Sequence, residues 1–160
     1  MSISVRRSVQ ADGPLILTLV EALADFEKLT PPDAAAKERL LRDLFSPTPR
    51  LECHLGEYDG KAVGYAFVFE TYSSFLALPT LYLEDMFVLP SYRKQGVGYA
   101  LFRGMVAEAE RRGCGRMEWA VLDWNRNALD FYDRLGARHM KEWFLYRLEM
   151  PDMVKMLRKL

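Results

Sequence analysis

Residues 81–112 carry the feature that most narrows the fold. LYLEDMFVL is an apolar run of strand length, SYRKQGVG follows as a turn with Gly96 and Gly98, and beyond it Ala100, Leu101, Met105, Val106 and Ala109 recur at helical spacing until Arg111-Arg112-Gly113. Just upstream, LECHLGEY and KAVGYAFVFETY read as strands joined by Asp59-Gly60, a dipeptide suited to the left-handed positions of a tight antiparallel turn. A hairpin followed by a strand, a glycine turn and a helix specifies an α/β chain with a mixed sheet, and excludes a doubly wound parallel one.

The flanking segments complete the order. Ile3–Arg7 alternates as a first strand, Asp12 offers a cap, Gly13-Pro14 opens a helix expected over Asp12–Lys28, and Pro31-Pro32 breaks it. Asp33 caps a second helix with Leu40, Leu41, Leu44 and Phe45 on one side. TYSSFLALPT reads as a loop and Arg116–Leu122 as a strand, while Asn125 opens a helix carrying Ala128, Leu129, Tyr132 and Leu135 that Gly136 stops. His139–Glu149 reads as a last strand, and Met153, Met156, Leu157 and Leu160 give an amphipathic tail after Pro151. The expected order is β-α-α-β-β-β-α-β-α-β plus a tail helix, in one domain spanning residues 1–160, without repeat or linker.

Composition removes several functions. Lys plus Arg and Asp plus Glu both total 22, for a net charge of zero, so the basic footprint of a nucleic-acid binder is missing. Cys53 and Cys114 have no CxxC spacing and the chain has two histidines, which argues against a disulfide framework or a metal site. MSISVRRSVQ lacks the apolar core of a signal peptide, and no apolar run approaches the roughly 18 residues of a spanning helix. The expectation is a cytoplasmic protein that neither enters a membrane nor binds nucleic acid.

Arg93-Lys94-Gln95-Gly96-Val97-Gly98 lies where a strand gives way to a helix, so unpaired backbone N–H groups there suit a phosphate or pyrophosphate. No Gly-Lys-Ser/Thr ending marks an NTP loop, and the third glycine of a dinucleotide fingerprint is missing. The alternative is a structural turn with a solvated Arg93-Lys94 pair. LYLEDMFVLPSYRKQGVGYALF resembles the acyl-CoA-binding segment of the GNAT superfamily of N-acetyltransferases, with its R/Q-x-x-G-x-G/A loop. AVLDWNRNALDFYDRLGA resembles the same superfamily's final strand–helix element. Through LADFE, LYLED and WN…FY…LGA the chain is most similar to spermidine/spermine and thialysine N-acetyltransferases.

That resemblance implies acetyl-CoA as cosubstrate, no metal, a small-molecule amine as acceptor and a homodimer. It implies strands splayed apart to admit the pantetheine arm, with backbone contacts from Phe87 and Val88 and an oxyanion donor at or near Phe87. The pyrophosphate would lie on Arg93, Lys94, Gln95, Gly96, Val97, Gly98 and Tyr99. Asn125 would contact the distal arm, or serve only as a helix cap. Tyr132 would donate the proton to the departing thiolate; by periodicity alone it is a core residue.

An alkyl amine with a pKa near 10.4 must lose a proton before it can attack. Glu84 is the candidate base, the alternative being a structural salt bridge. Simple strand alternation puts Asp85 on the opposite face, in a structural role. Glu27 would face the cationic amine, or be a solvated helix residue. Ser73 and Ser74 stand where the polyamine enzymes carry an aspartate, which favours a short diamine or a thialysine-like amino acid over spermine. Trp119 and Trp124 either line the cleft or pack. Other acceptors (an aminoglycoside, a protein lysine, an N-terminus) and a non-catalytic acyl-CoA sensor are the competing readings.

Overall fold

A computed structural model describes residues 1–159. The strands are β1 (Ile3–Arg7), β2 (Glu52–Tyr58), β3 (Lys61–Ser73), β4 (Leu78–Val88) and β5 (Arg116–Glu118); the helices are α1 (Gly13–Glu27), α2 (Ala34–Phe45), α3 (Val97–Arg111), α4 (Arg126–Arg134) and α5 (Met150–Arg158). These fall into two compact units, Met1–Ala120 and Val121–Leu160. Among the described residues, no helix is long and apolar enough to cross a membrane.

The first unit is a five-stranded sheet in the order β1-β2-β3-β4-β5, with antiparallel neighbours except for β5, which runs parallel to β4. Asp59 and Gly60 both have positive φ (47° and 78°), the left-handed pair the hairpin requires. One face of the sheet packs Val63, Val68, Leu81 and Leu83 against Val97, Leu101 and Met105 of α3. The other packs Tyr65, Phe67 and Phe87 against Ile16, Leu19 and Leu44 of α1 and α2. Gly56 is needed where α3 crosses β2, because a Cβ there would lie 2.9 Å from Val97 and from Leu101.

Asp33 caps α2 as its sequence position suggests, its carboxylate accepting from the Ala36 N–H at 2.8 Å. Asp12 does not cap α1. Its carboxylate accepts from the Arg6 guanidinium at 2.8 and 2.9 Å and from the Val9 N–H at 2.7 Å, so it faces the preceding turn. The expected loop TYSSFLALPT is mostly strand: β3 runs to Ser73 and β4 begins at Leu78, with Pro79 near the strand's start, where a missing N–H is tolerated.

β5 stops at Glu118 instead of Leu122, and no strand forms over residues 139–149. In that segment Trp143, Phe144, Leu145 and Tyr146 are strongly exposed. These aromatic and apolar residue types suit a strand, but a strand requires a partner and none pairs with it among the described residues.

The C-terminal end of α3 is held by charge. Arg112 donates to Glu108 at 2.7 Å, to Glu52 of β2 at 2.6 Å and to Glu70 of β3 at 3.3 Å. Burial pushes the neighbouring His54 imidazole below its usual pKa, and its Nε2 lies 3.7 Å from Glu52. Removing the guanidinium leaves partly buried carboxylates facing one another. Arg112→Ala is expected to lower unfolding stability by about 2–3 kcal/mol; a denaturant midpoint equal to wild type would contradict this.

Candidate active site

The register of β4 shifts in its middle. Phe67 of β3 pairs with Asp85 and Val68 pairs with Leu83, so Glu84 is the extra residue of a β-bulge. A bulge suspends the alternation that would send adjacent side chains to opposite faces. Glu84 and Asp85 consequently line one open groove of about 680 Å³, alongside Phe67 and Phe69 of β3 and Val20 of α1. The expectation that the two carboxylates occupy opposite faces is therefore corrected.

Asp85 is the more buried of the pair. Its carboxylate accepts from the Tyr65 hydroxyl at 3.1 Å, yet burial pushes its pKa up to about 6, with further upward pressure from Glu84 and Glu27. Burial also raises the Glu27 carboxyl above its ordinary value. Glu27, Glu84 and Asp85 thus act on a common region, and an ammonium placed there would relieve their repulsion. Tyr65, fully buried, keeps its hydroxyl protonated as a donor to Asp85, because burial and the adjacent carboxylate push its pKa far up.

Beside this groove β4 has an open edge. Pairing with β5 covers Thr80, Leu81 and Tyr82, and among the described residues Leu83–Val88 runs on without a strand partner on that side. The Leu89 N–H donates to the Val63 carbonyl at 2.9 Å. Antiparallel alternation then turns the Phe87 backbone toward β3 and leaves the backbone groups of Met86 and Val88 facing the open edge. The Val88 N–H thus lies where an extended acyl-CoA arm could pair, its carbonyl being taken by Arg93, whereas Phe87 contributes a buried ring.

The loop after β4 meets α3 in an anion-binding geometry. Lys94 and Gly96 both have positive φ (59° and 94°), and no side chain caps α3. The Ala100 N–H is the first to close a helical bond, to the Gly96 carbonyl at 2.9 Å, so the amides of Val97, Gly98 and Tyr99 precede the intrahelical ladder. A side chain at Gly96 would be strained by its φ and would meet Ile3 at 3.2 Å. The chemistry of this cradle fits a pyrophosphate.

Arg93 is placed differently from the other loop residues. Its Nε donates to the Val88 carbonyl at 3.0 Å, and its guanidinium lies 4.5 Å from the Phe26 ring centre and 5.3 Å from that of Phe87. Gln95 turns back to donate to the Ser91 carbonyl at 3.0 Å. The loop's own side chains therefore brace its backbone. Ser73 does likewise for the β3–β4 turn, its hydroxyl accepting from the Leu76 N–H at 3.2 Å. Trp119 packs edge-on against Phe102, with ring centres 5.4 Å apart. Burial pushes the Cys53 thiol up to about 12, which leaves it inert.

In the second unit Asn125 caps α4, its carbonyl oxygen accepting from the Ala128 N–H at 3.3 Å. That bond uses one end of the amide and leaves the role of the other end unassigned. Tyr132 packs edge-on with Phe131, at 5.2 Å between ring centres, and burial pushes its hydroxyl up to about 12. It is neutral, and able to donate, throughout the physiological range.

Sequence reasoning missed Tyr65 and misplaced Asp85. Tyr65 reads as an ordinary strand aromatic, and a bulge leaves no mark in the apolar alternation of LYLEDMFVL.

Comparison with known proteins agrees with this geometry. Residues 19–137 match the acetyltransferase (GNAT) family. The chain is 35% identical to the thialysine N-epsilon-acetyltransferase of Bos taurus, over 92% of each chain. It is 32% identical to an L-ornithine N5-acetyltransferase of Arabidopsis thaliana, covering 90% of this chain and 83% of the relative. Among solved structures, a probable acetyltransferase superposes with a TM-score of 0.79 at 20% identity, over 94% of this chain and 98% of that one. The α/β expectation and the GNAT resemblance both hold: this chain belongs to the GNAT acetyltransferase family, and is an acetyl-CoA-dependent N-acetyltransferase.

Proposed function

We propose that the enzyme acetylates a primary amine of a small diamine, polyamine or thialysine-like compound by direct transfer from acetyl-CoA. The observation that carries this reading is the bulge at Glu84, which gathers two carboxylates in one groove under the influence of a third, Glu27. The names of the relatives above support an amine acceptor.

Acetyl-CoA supplies the activated acetyl group. Glu27, Glu84 and Asp85 draw the substrate ammonium into the groove, and Glu84 takes its proton, directly or through water. Asp85, with its pKa near 6, is a better proton acceptor at neutral pH than an ordinary carboxylate, and it works beside Glu84. The open-edge amides of β4 bind the acyl arm and stabilise charge on the carbonyl oxygen. The first-turn amides of α3, with the Lys94–Gly96 turn, hold the pyrophosphate. Tyr132 gives its proton to the departing thiolate, consistent with a hydroxyl that stays protonated to about pH 12. Asn125 contacts the distal part of acetyl-CoA through the amide end not used in capping. We also place the enzyme in the cytoplasm as a homodimer of a single catalytic domain, for which sedimentation should give twice the 18.5 kDa chain mass.

The direct test is CoA release across diamines, polyamines, thialysine, lysine, aminoglycosides and a lysine peptide. Turnover confined to small amines supports the reading; silence across the panel, with acetyl-CoA still bound, would favour a sensor.

Tyr132→Phe should lower turnover about tenfold or more with little change in acetyl-CoA affinity, and Glu84→Gln should lower kcat/KM by about 100-fold. Unchanged turnover would remove either residue from its role.

Asp85 also links activity to stability. Its folded pKa of about 6 exceeds the ordinary 3.8, so the folded protein holds this proton more tightly than the unfolded chain, and stability falls as pH rises from about 4 to about 6. Asp85→Asn should therefore raise Tm by about 5 °C at pH 7.5 and by less at pH 4, while lowering kcat/KM. A Tm gain independent of pH would show that Asp85 is not the group being titrated.

A further inference from the structure

The groove that holds Glu84 and Asp85 has a second charged boundary. Arg50 and Asp43 also line it, at the side where α2 ends and the chain turns into β2. Arg50 is fixed there by its backbone, the Arg50 N–H donating to the Asp43 carbonyl at 3.1 Å. Pro47 and Pro49 stiffen the short connection that delivers it. The Asp43 carboxylate is held below its ordinary pKa first by its hydrogen bond to Arg42 and then by the charges of Arg42, Arg50 and Arg39. Asp43 is hydrogen-bonded to Arg42, which lies outside the groove, at 3.0 Å, and Arg50 is the cation among the groove's lining residues.

The groove is therefore polarised, with carboxylates at the β4 bulge and arginine at the α2–β2 rim. Such a field is wrong for a polyamine, whose second ammonium would be driven against Arg50. It suits a molecule that carries an amine at one end and a carboxylate at the other. The separation is also suitable. Glu52, two residues after Arg50, pairs with Val68, which pairs with Leu83 beside the bulge. Two strand spacings combined with the two-residue offset make roughly 12 Å between backbones, a span that a diamino acid and the length of an arginine side chain cover together.

Resting on the amine-acetylation reading, we infer that Arg50 is a specificity-determining residue that binds the substrate carboxylate, so that the acceptor is an α-amino acid with a side-chain amine. A diamine of the same length lacks the group that Arg50 recognises. Arginine presents parallel N–H donors matched to a carboxylate, so lysine at this position replaces the charge but only part of the geometry.

The test compares L-ornithine with 1,4-diaminobutane, which differs from it only by the missing carboxyl group, and with L-ornithinamide, in which the carboxylate is neutralised. For the wild-type enzyme, kcat/KM for L-ornithine should exceed that for either of the others by about tenfold or more. In Arg50→Gln that ratio should fall toward unity through KM for L-ornithine, and Arg50→Lys should restore part of it. Equal kcat/KM values for the three amines in the wild type, or a ratio unmoved by Arg50→Gln, would overturn the assignment. If no amine releases CoA, the acetylation reading fails, and calorimetric titration of the CoA-loaded protein with the same three compounds decides about Arg50 separately. Tighter binding of L-ornithine that Arg50→Gln abolishes would uphold the carboxylate anchor. Equal binding of all three, or binding of none, would overturn it.

Discussion

Most of what this molecule can do follows from how β4 is held. Up to Tyr82 it is a central strand with β3 on one side and β5 on the other. Beyond Tyr82 it pairs, among the described residues, with β3 alone, and within the next three residues it is bulged at Glu84. Loss of one neighbour opens the backbone edge and the bulge redirects a carboxylate. Because the two changes fall together on one strand, an amine gathered by Glu84 and Asp85 and an acyl arm paired along the open edge would meet without any segment having to move into place.

The supports for this strand are ordinary packing and charge. On one face, Gly56 and Gly64 let α3 approach closely, and Arg112 ties the far end of that helix to β2 and β3. On the other, α1 and α2 cover Tyr65, Phe67 and Phe87. The helix that offers its first amides to an anion is thus locked at its opposite end. Arg93, whose sequence position suggests a phosphate ligand, clamps the Val88 carbonyl through its Nε and lies over the Phe26 and Phe87 rings. It positions the loop and keeps the edge of β4 in register with the turn that follows.

Much of this was legible in the sequence. Asp59-Gly60 specified its hairpin because few residues tolerate left-handed backbone, and Asp33 and Asn125 specified helix starts because their side chains complete the first turn. The turn at Gly96 showed itself for the same reason. What escaped notice depends on pairing between distant segments. A bulge is a mismatch between Phe67-Val68 and Leu83-Glu84-Asp85, and neither strand records it alone. Asp12 was misread because Arg6, its partner, lies on another element. The run 139–149 has the side chains of a strand without the neighbour that would make it one.

An unpaired strand edge carries a hazard. The backbone groups that face the open edge, those of Met86 and Val88 among them, could pair with an extended peptide, and sheet proteins usually guard such rows with lysine, proline or a covering loop. Here those guards would obstruct the cosubstrate, and the sequence LEDMFV keeps only the bulge and its acidic pair. The carboxylates of Glu84 and Asp85, proposed to attract an amine, would also set negative charge beside that edge, against the approach of an acidic chain. If acetyl-CoA pairs there as proposed, it would take the place of a sixth strand and shield that edge from stray pairing while bound.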